Sequence, residues 1–99
     1  MEKATGTELR RWRGTSAADA LLKLANCAKQ DRDFAPIKDP GTTRWHANVK
    51  GREYELLLTG AKFFDTRIQC GGGGAVDLAM HLLQVDFCGA VDVLRRQGL

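Results

Sequence analysis

The sequence predicts an α+β domain: an N-terminal helix, a three-stranded antiparallel meander and two C-terminal helices. Three observations carry this prediction. Residues 15 to 30 and 75 to 97 place apolar side chains at helical spacing. Residues 44 to 59 switch to alternation, broken at Lys50-Gly51, and past the turn at Thr59-Gly60 residues 63 to 68 are rich in aromatic and β-branched side chains. Four consecutive glycines, Gly71 to Gly74, separate the two patterns.

The elements follow in order. Residues 1 to 14 are polar, with Arg10, Arg11 and Arg13 around Trp12, and are expected to be a flexible arm. Such an arm is either a solvated tail or a basic segment that neutralises phosphates while Trp12 stacks on a base. Thr15 or Ser16 caps the next segment, and Leu21, Leu24, Ala25 and Ala28 form its apolar stripe, which predicts a helix ending near residues 27 to 30. Residues 35 to 43, APIKDPGTT, read as loop because Pro36 and Pro40 resist regular structure and Pro40-Gly41 favours a turn.

Trp45, Ala47 and Val49 then alternate with Arg44, His46, Asn48 and Lys50, which makes a half-buried strand with a partly basic outer face. His46 has no second ligand placed to meet it and reads as a solvated side chain. Tyr54, Leu56 and Leu58 alternate with Glu53, Glu55 and Thr59 in a second strand, and residues 63 to 68 form a third. Short turns between consecutive strands imply an antiparallel meander.

The glycine run leads into AVDLAMHLL, where Val76, Ala79, Met80 and Leu83 fall at helical spacing and Asp77 lies in the first turn. A glycine loop feeding a helix start either presents free amides to an anion or makes a tight corner against a sheet. No lysine with serine or threonine follows it, so it is not a Walker loop. Asp86 caps a last helix with Ala90, Val91 and Leu94 as apolar positions, Arg95 and Arg96 at its C-terminal end, and Gly98 at C′.

Composition bounds the function. Ninety-nine residues fit one small domain, and 43% hydrophobic content is ordinary for a globular chain. A net charge of +3 is compatible with nucleic acid without requiring it. No apolar run approaches the length of a membrane span and no secretory signal is visible, so the expected location is cytoplasmic. The three cysteines, Cys27, Cys70 and Cys88, are far apart and read as reduced, mostly buried thiols. With only His46 and His81 to join them, no structural zinc site and no cofactor is expected. No nucleophile–base pairing emerges from the Cys and His positions, so the chain reads as non-catalytic.

The run QCGGGGAVDLAMHLLQVDFCGAVDVLRRQG resembles the end of the zinc-finger domain at the N-terminus of bacterial DNA primases. That family shows Cys-x-x-Cys-Gly-x-Gly-Gly, then a helix opening on an Ile-Asp or Val-Asp step, then Phe-x-x-Ala-Val-x-x-Leu. Val76-Asp77 matches the step, and Phe87, Ala90, Val91 and Leu94 match the last helix. The likeness runs over about residues 15 to 97, and its C-terminal third is specific. Ala35 and Lys38 stand where the family has its first two zinc ligands, residues 64 to 67 hold no cysteine for the third, and Cys70 lies near the fourth.

The chain therefore looks like a metal-free version of that domain, of the kind found before toprim domains in primase-like proteins of plasmids and other mobile genetic elements. The Trp45 strand, the turn from Thr59 to Phe64 and the glycine run carry that similarity. The resemblance implies a zinc-ribbon-like meander without its metal, held instead by Phe34, Ile37, Trp45, Phe63, Phe64 and Ile68, with Cys70 in the core. It also implies a role in DNA replication or priming, with single-stranded DNA as partner.

On that expectation Arg44, His46, Lys50, Arg52, Lys62 and Arg67 line the sheet's polar face or its turns. The amides of Gly71, Gly72, Gly73 and Gly74 contact a phosphate, and Trp12 or Phe63 stacks on a base. The alternative is a protein-interaction adaptor, with Leu57 and Phe63 as an apolar patch for a replication or conjugation protein or a second copy.

Overall fold

The computed structural model describes residues 4–36 and 38–99. The chain is α+β, with the order α1 (Gly6–Gly14), α2 (Ala17–Leu24), β1 (Cys27–Asp31), β2 (Thr43–Val49), β3 (Arg52–Thr59), β4 (Lys62–Asp65), β5 (Cys70–Gly73), α3 (Ala75–Leu83) and α4 (Phe87–Arg96). The five strands form one antiparallel meander in sequence order, β1-β2-β3-β4-β5. Residues from all four helices join the sheet's inner face in one apolar cluster.

Register decides which side chains face that cluster. Ala47 opposes Tyr54 and Leu58 opposes Phe63, and all four are buried. On the other face the row Asp31–Arg44–Leu57–Phe64–Gly71 crosses the entire sheet. The two-residue turn at Lys50 (φ 51) and Gly51 (φ 83) uses the left-handed backbone that matches the twist of a hairpin. Lys50 N–H is held by Asn26 Oδ1 at 2.7 Å, which ties that turn to the entry of β1.

Several elements differ from the sequence expectation. The arm expected over residues 1 to 14 contains a docked helix. Thr5 and Glu8 form a reciprocal capping box at its start, and Trp12 is 0% exposed. Residues 1 to 3 lie outside the described residues. The helix expected to reach residues 27 to 30 stops at Leu24, and Cys27–Asp31 pairs with β2 instead. Asn26 and Cys27 are weak helix formers, and the open edge of β2 supplies the backbone partners that helix hydrogen bonds would otherwise provide.

The glycine run is neither loop nor corner over most of its length. Gly71, Gly72 and Gly73 pair with Phe64, Phe63 and Lys62 in a fifth strand, and only Gly74, at φ 93, turns into α3. Glycine is required at position 71 by proximity: a Cβ there would lie 2.6 Å from the Phe63 carbonyl oxygen.

The buried set also differs. Of the aromatic and aliphatic residues expected to replace a metal, Phe63 is buried, Trp45 is partly buried against the core and Phe34 is half-buried. Phe64 and Ile68 are exposed, and Ile37 lies outside the described residues. All three cysteines are exposed, Cys70 included. The largest enclosed side chains are Trp12, Leu21, Leu56, Leu78, Leu82 and Leu94, so the helices supply most of the core volume. In α3 the buried stripe is Ala75, Leu78, Ala79 and Leu82, one step round from the expected one. The last helix buries Ala90, Val91 and Leu94, and Asp86 accepts from Gly89 N–H, as the sequence indicated.

The two ends of the chain are tied by charge. Arg95 Nε and Nη2 donate to Glu8 Oε2 and Oε1 at 2.9 and 2.8 Å, a forked contact between α4 and α1. Glu8 Oε1 also accepts from Thr5 N–H at 3.0 Å. The Arg95 hydrogen bonds first, and the Thr5 amide second, hold the Glu8 carboxyl at about 2, below its ordinary 4.5. A depressed carboxyl contributes stability that is complete above the unfolded value and is lost as pH falls through the folded one. Glu8→Gln should therefore be less stable than the parent at neutral pH, and the gap should close as pH falls from 4.5 towards about 2. Urea midpoints measured across that range test this, and a gap independent of pH would refute it.

Candidate nucleic-acid interface

The described helices join the cluster on the sheet's inner face, and the central rows of the opposite, outer face hold an aromatic and aliphatic groove. Leu57 on β3 and Phe64 on β4 sit side by side in register. Phe64 is 40% exposed, and its ring lies against Gly71 on β5, where a Cβ would come within 3.2 Å of Phe64 Cδ1. The absence of a side chain at Gly71 leaves room for that ring at the edge of the sheet. On the other side the loop before β2 brings Phe34 and Pro36 over the strands. These residues line a groove of about 680 Å³, with Lys38 and Lys62 on its walls. The loop is shaped by an Asx turn in which Asp39 Oδ1 accepts from Gly41 N–H at 2.8 Å, and by a 2.7 Å hydrogen bond between the Thr42 and Thr59 hydroxyls.

Arg44 anchors one end of this groove. Its guanidinium forks onto Asp31 across the β1–β2 pair, and its Cζ lies 5.3 Å from the centre of the Phe34 ring. The Arg44 hydrogen bonds hold the Asp31 carboxyl below its ordinary range, and the same bonds raise the Arg44 guanidinium. Arg44 is thus committed to a carboxylate and orients Phe34. Next to it on the outer face, Lys29 opposes His46, and His46 opposes Glu55.

The structure separates the residues that the sequence assigned to one basic face. Arg10 and Arg13 are exposed on α1, and Arg11 donates to the Leu99 carbonyl oxygen at 2.9 Å. Trp12 is enclosed in the core, so no base can stack on it. Phe63, 5% exposed, points inward, and its neighbour Phe64 takes the outward position. Lys62 is on the groove. Lys50 is exposed in the β2–β3 turn. Arg52 and Arg67 gather at a different pocket, beside His81.

The glycine amides are partly spent. Gly73 N–H donates to Asp77 Oδ2 at 3.2 Å and Gly74 N–H to the Ala61 carbonyl oxygen at 2.8 Å, while Gly71 and Gly72 lie within β5. Four convergent free amides for a phosphate are therefore not present at that run.

Sequence reasoning missed Phe64, Phe34 and Lys38 as groove residues, and the pairing of Asp65 with His81. The signal for the first lay in the register. Tyr54, Leu56 and Leu58 face inward, and the two-residue turn at Gly60-Ala61 continues that face through Phe63 rather than Phe64. The same parity carries Asp65 to the inner face, where a carboxylate needs a partner. Among the described residues no cluster of three or more His, Cys, Asp or Glu side chains is placed to hold a metal ion. No helix of the described residues is long and apolar enough to cross a membrane. Comparisons of the chain with protein-family models, with curated proteins and with solved structures found no match.

Proposed function

We propose that this chain is a non-catalytic, single-stranded DNA-binding module that serves replication or priming on a mobile genetic element. The observation that carries this reading is the groove on the open sheet face. An exposed Phe64 ring stands beside Leu57, faces the Phe34 loop, and is flanked by Lys38 and Lys62. Unpaired bases offer flat apolar faces that stack on such rings in any sequence, and lysines at the groove walls meet the phosphates between them. A duplex hides those faces, so the groove favours single strands. The association with replication comes from the similarity of the glycine run and last helix to primase zinc-finger domains, in a chain whose first three ligand positions carry other residues.

Fluorescence titration with labelled single-stranded and duplex oligonucleotides at two salt concentrations tests the reading. Two phosphate contacts, one for each lysine, give a slope of log K against log salt of about −1.4 for a single strand. Absence of binding at low salt, or equal affinity for duplex, would refute it.

A second reading rests on the apolar character of the same groove. Leu57, Pro36 and Phe64 also suit an apolar segment of a replication or conjugation protein. Binding of such a partner with no oligonucleotide affinity would favour it.

A further inference from the structure

Away from the groove, at the end of the sheet where β3 begins and α3 ends, Asp65 and His81 form a buried pair. His81 Nε2 and Asp65 Oδ2 are 2.7 Å apart, and their side chains are 10% and 4% exposed. Asp65 is fully occupied: Oδ1 accepts from the Arg67 and Ile68 amides at 3.0 and 3.4 Å. The imidazole is also fixed sterically, with the Tyr54 ring at 5.6 Å and the Phe63 ring at 5.3 Å between centroids. Trp12 Nε1 is the buried polar side-chain atom without a partner among the described residues, and no protein group there bonds His81 Nδ1, so Nδ1 meets solvent.

His81 lines a pocket of about 460 Å³ together with Arg52 and Arg67. Neither guanidinium has a carboxylate partner among the described residues: Arg67 reaches only the Glu53 carbonyl oxygen, at 3.4 Å. Glu53 also lines the recess, and its Oε1 accepts from Asn48 Nδ2 at 2.9 Å rather than from either arginine. Arg52 and Arg67, from separate chain segments and without a carboxylate partner among the described residues, therefore line one recess with an imidazole held in one orientation by a carboxylate.

We propose that this recess is a phosphate-binding site, taking the oxyanion of a phosphate monoester or diester. Guanidinium forks match phosphate oxygens in pairs, and they are less strongly hydrated than ammonium groups, which favours their use in a partly enclosed site. The carboxylate behind His81 fixes the ring and accepts from Nε2–H, so it is the imidazolium form that offers Nδ1–H to an oxyanion. A tie that served only to dock α3 on β4 would need Asp65 and His81 alone. It does not account for Arg52 and Arg67, which stand exposed beside it without a carboxylate partner among the described residues and which a bound anion would pair. The site is separate from the Phe64 groove, so it stands or falls independently of the strand-binding reading.

Titration of the protein with inorganic phosphate, followed by the amide resonances and the His81 ring protons, tests the assignment. Saturable shifts at residues 52–54, 65–68 and 81–84, with a dissociation constant in about the millimolar range or tighter, are expected. The double variant Arg52→Ala/Arg67→Ala, whose side chains are exposed, should keep its melting temperature and lose at least about tenfold in phosphate affinity. Phe64→Ala should leave phosphate binding unchanged.

Oligonucleotides with and without a 5′-phosphate then identify the source. Shifts with the phosphorylated strand alone point to a strand end, shifts with both to internal phosphates, and shifts with neither to a free phosphate compound. No localised shift with inorganic phosphate, or the same affinity in the double variant, would overturn the proposal.

Discussion

Trp12→Ala should unfold this domain at a markedly lower temperature than the parent. The side chain is 0% exposed and is the largest member of the core. Truncating a buried tryptophan costs about 3–5 kcal/mol, a large share of the roughly 5–15 kcal/mol typical of native domains. For a chain of this size that lowers the melting point by more than about 12 °C. The residue also fixes where α1 lies. A Cβ at Gly74 would come within 3.5 Å of the Trp12 carbonyl oxygen and 3.4 Å of Arg13 Cα, so the first helix packs directly against the start of α3.

Trp12→Phe separates volume from polarity. It removes part of the ring but also the Nε1–H, which is buried without a partner among the described residues. An unsatisfied buried donor costs about 1–3 kcal/mol, so the phenylalanine variant should lose much less than the alanine variant. Urea unfolding of the three proteins measures both effects. If Trp12→Ala changed stability by less than about 0.5 kcal/mol, residues 6 to 14 would be the solvated arm that their polarity suggests.

The second large effect distinguishes two adjacent phenylalanines. Phe64→Ala should weaken single-strand binding by about 5- to 150-fold, the equivalent of the ~1–3 kcal/mol that one aromatic stacking platform contributes. Its cost in stability should be small, because the ring is 40% exposed and loses mainly its cross-strand contact with Leu57, on the order of 0.2–1 kcal/mol. Phe63→Ala should do the reverse. Its ring is 5% exposed and packs against His81, so its removal costs about 3–5 kcal/mol of stability. In protein still folded at low temperature, oligonucleotide affinity should persist. Equal oligonucleotide affinity for Phe64→Ala and the parent would remove the groove from the strand-binding reading.

The difference between these neighbours also shows how far a sequence can be read. A run of two phenylalanines contains no local indication of which one faces the core. Parity is set by the turn before β4 and by the pairing of Leu58 with Phe63, a contact between strands. Arg52 and Arg67 likewise appear as two surface cations in the sequence. Only the meeting of β3, the turn after β4 and the end of α3 brings them to His81.

What the sequence determined by itself was local and periodic. The alternation from Trp45 to Val49 and from Tyr54 to Leu58 specified two strands and their buried faces, although Trp45 is only partly enclosed. The Asp86 cap and the Ala90, Val91 and Leu94 stripe specified the last helix. These features need only neighbours in the chain, and together they place the protein in the α+β class.

Tertiary structure decided the rest, because the energy lay in contacts distant in sequence. Four glycines have no side chains to express a period, and they became a strand because β4 offered backbone partners and a close approach that only glycine permits. The polar segment around Trp12 became a helix because its one large apolar ring found a core to enter. A stripe of only Leu9 and Trp12 is too short for periodicity to show, yet the burial of Trp12 gives as much as several smaller side chains.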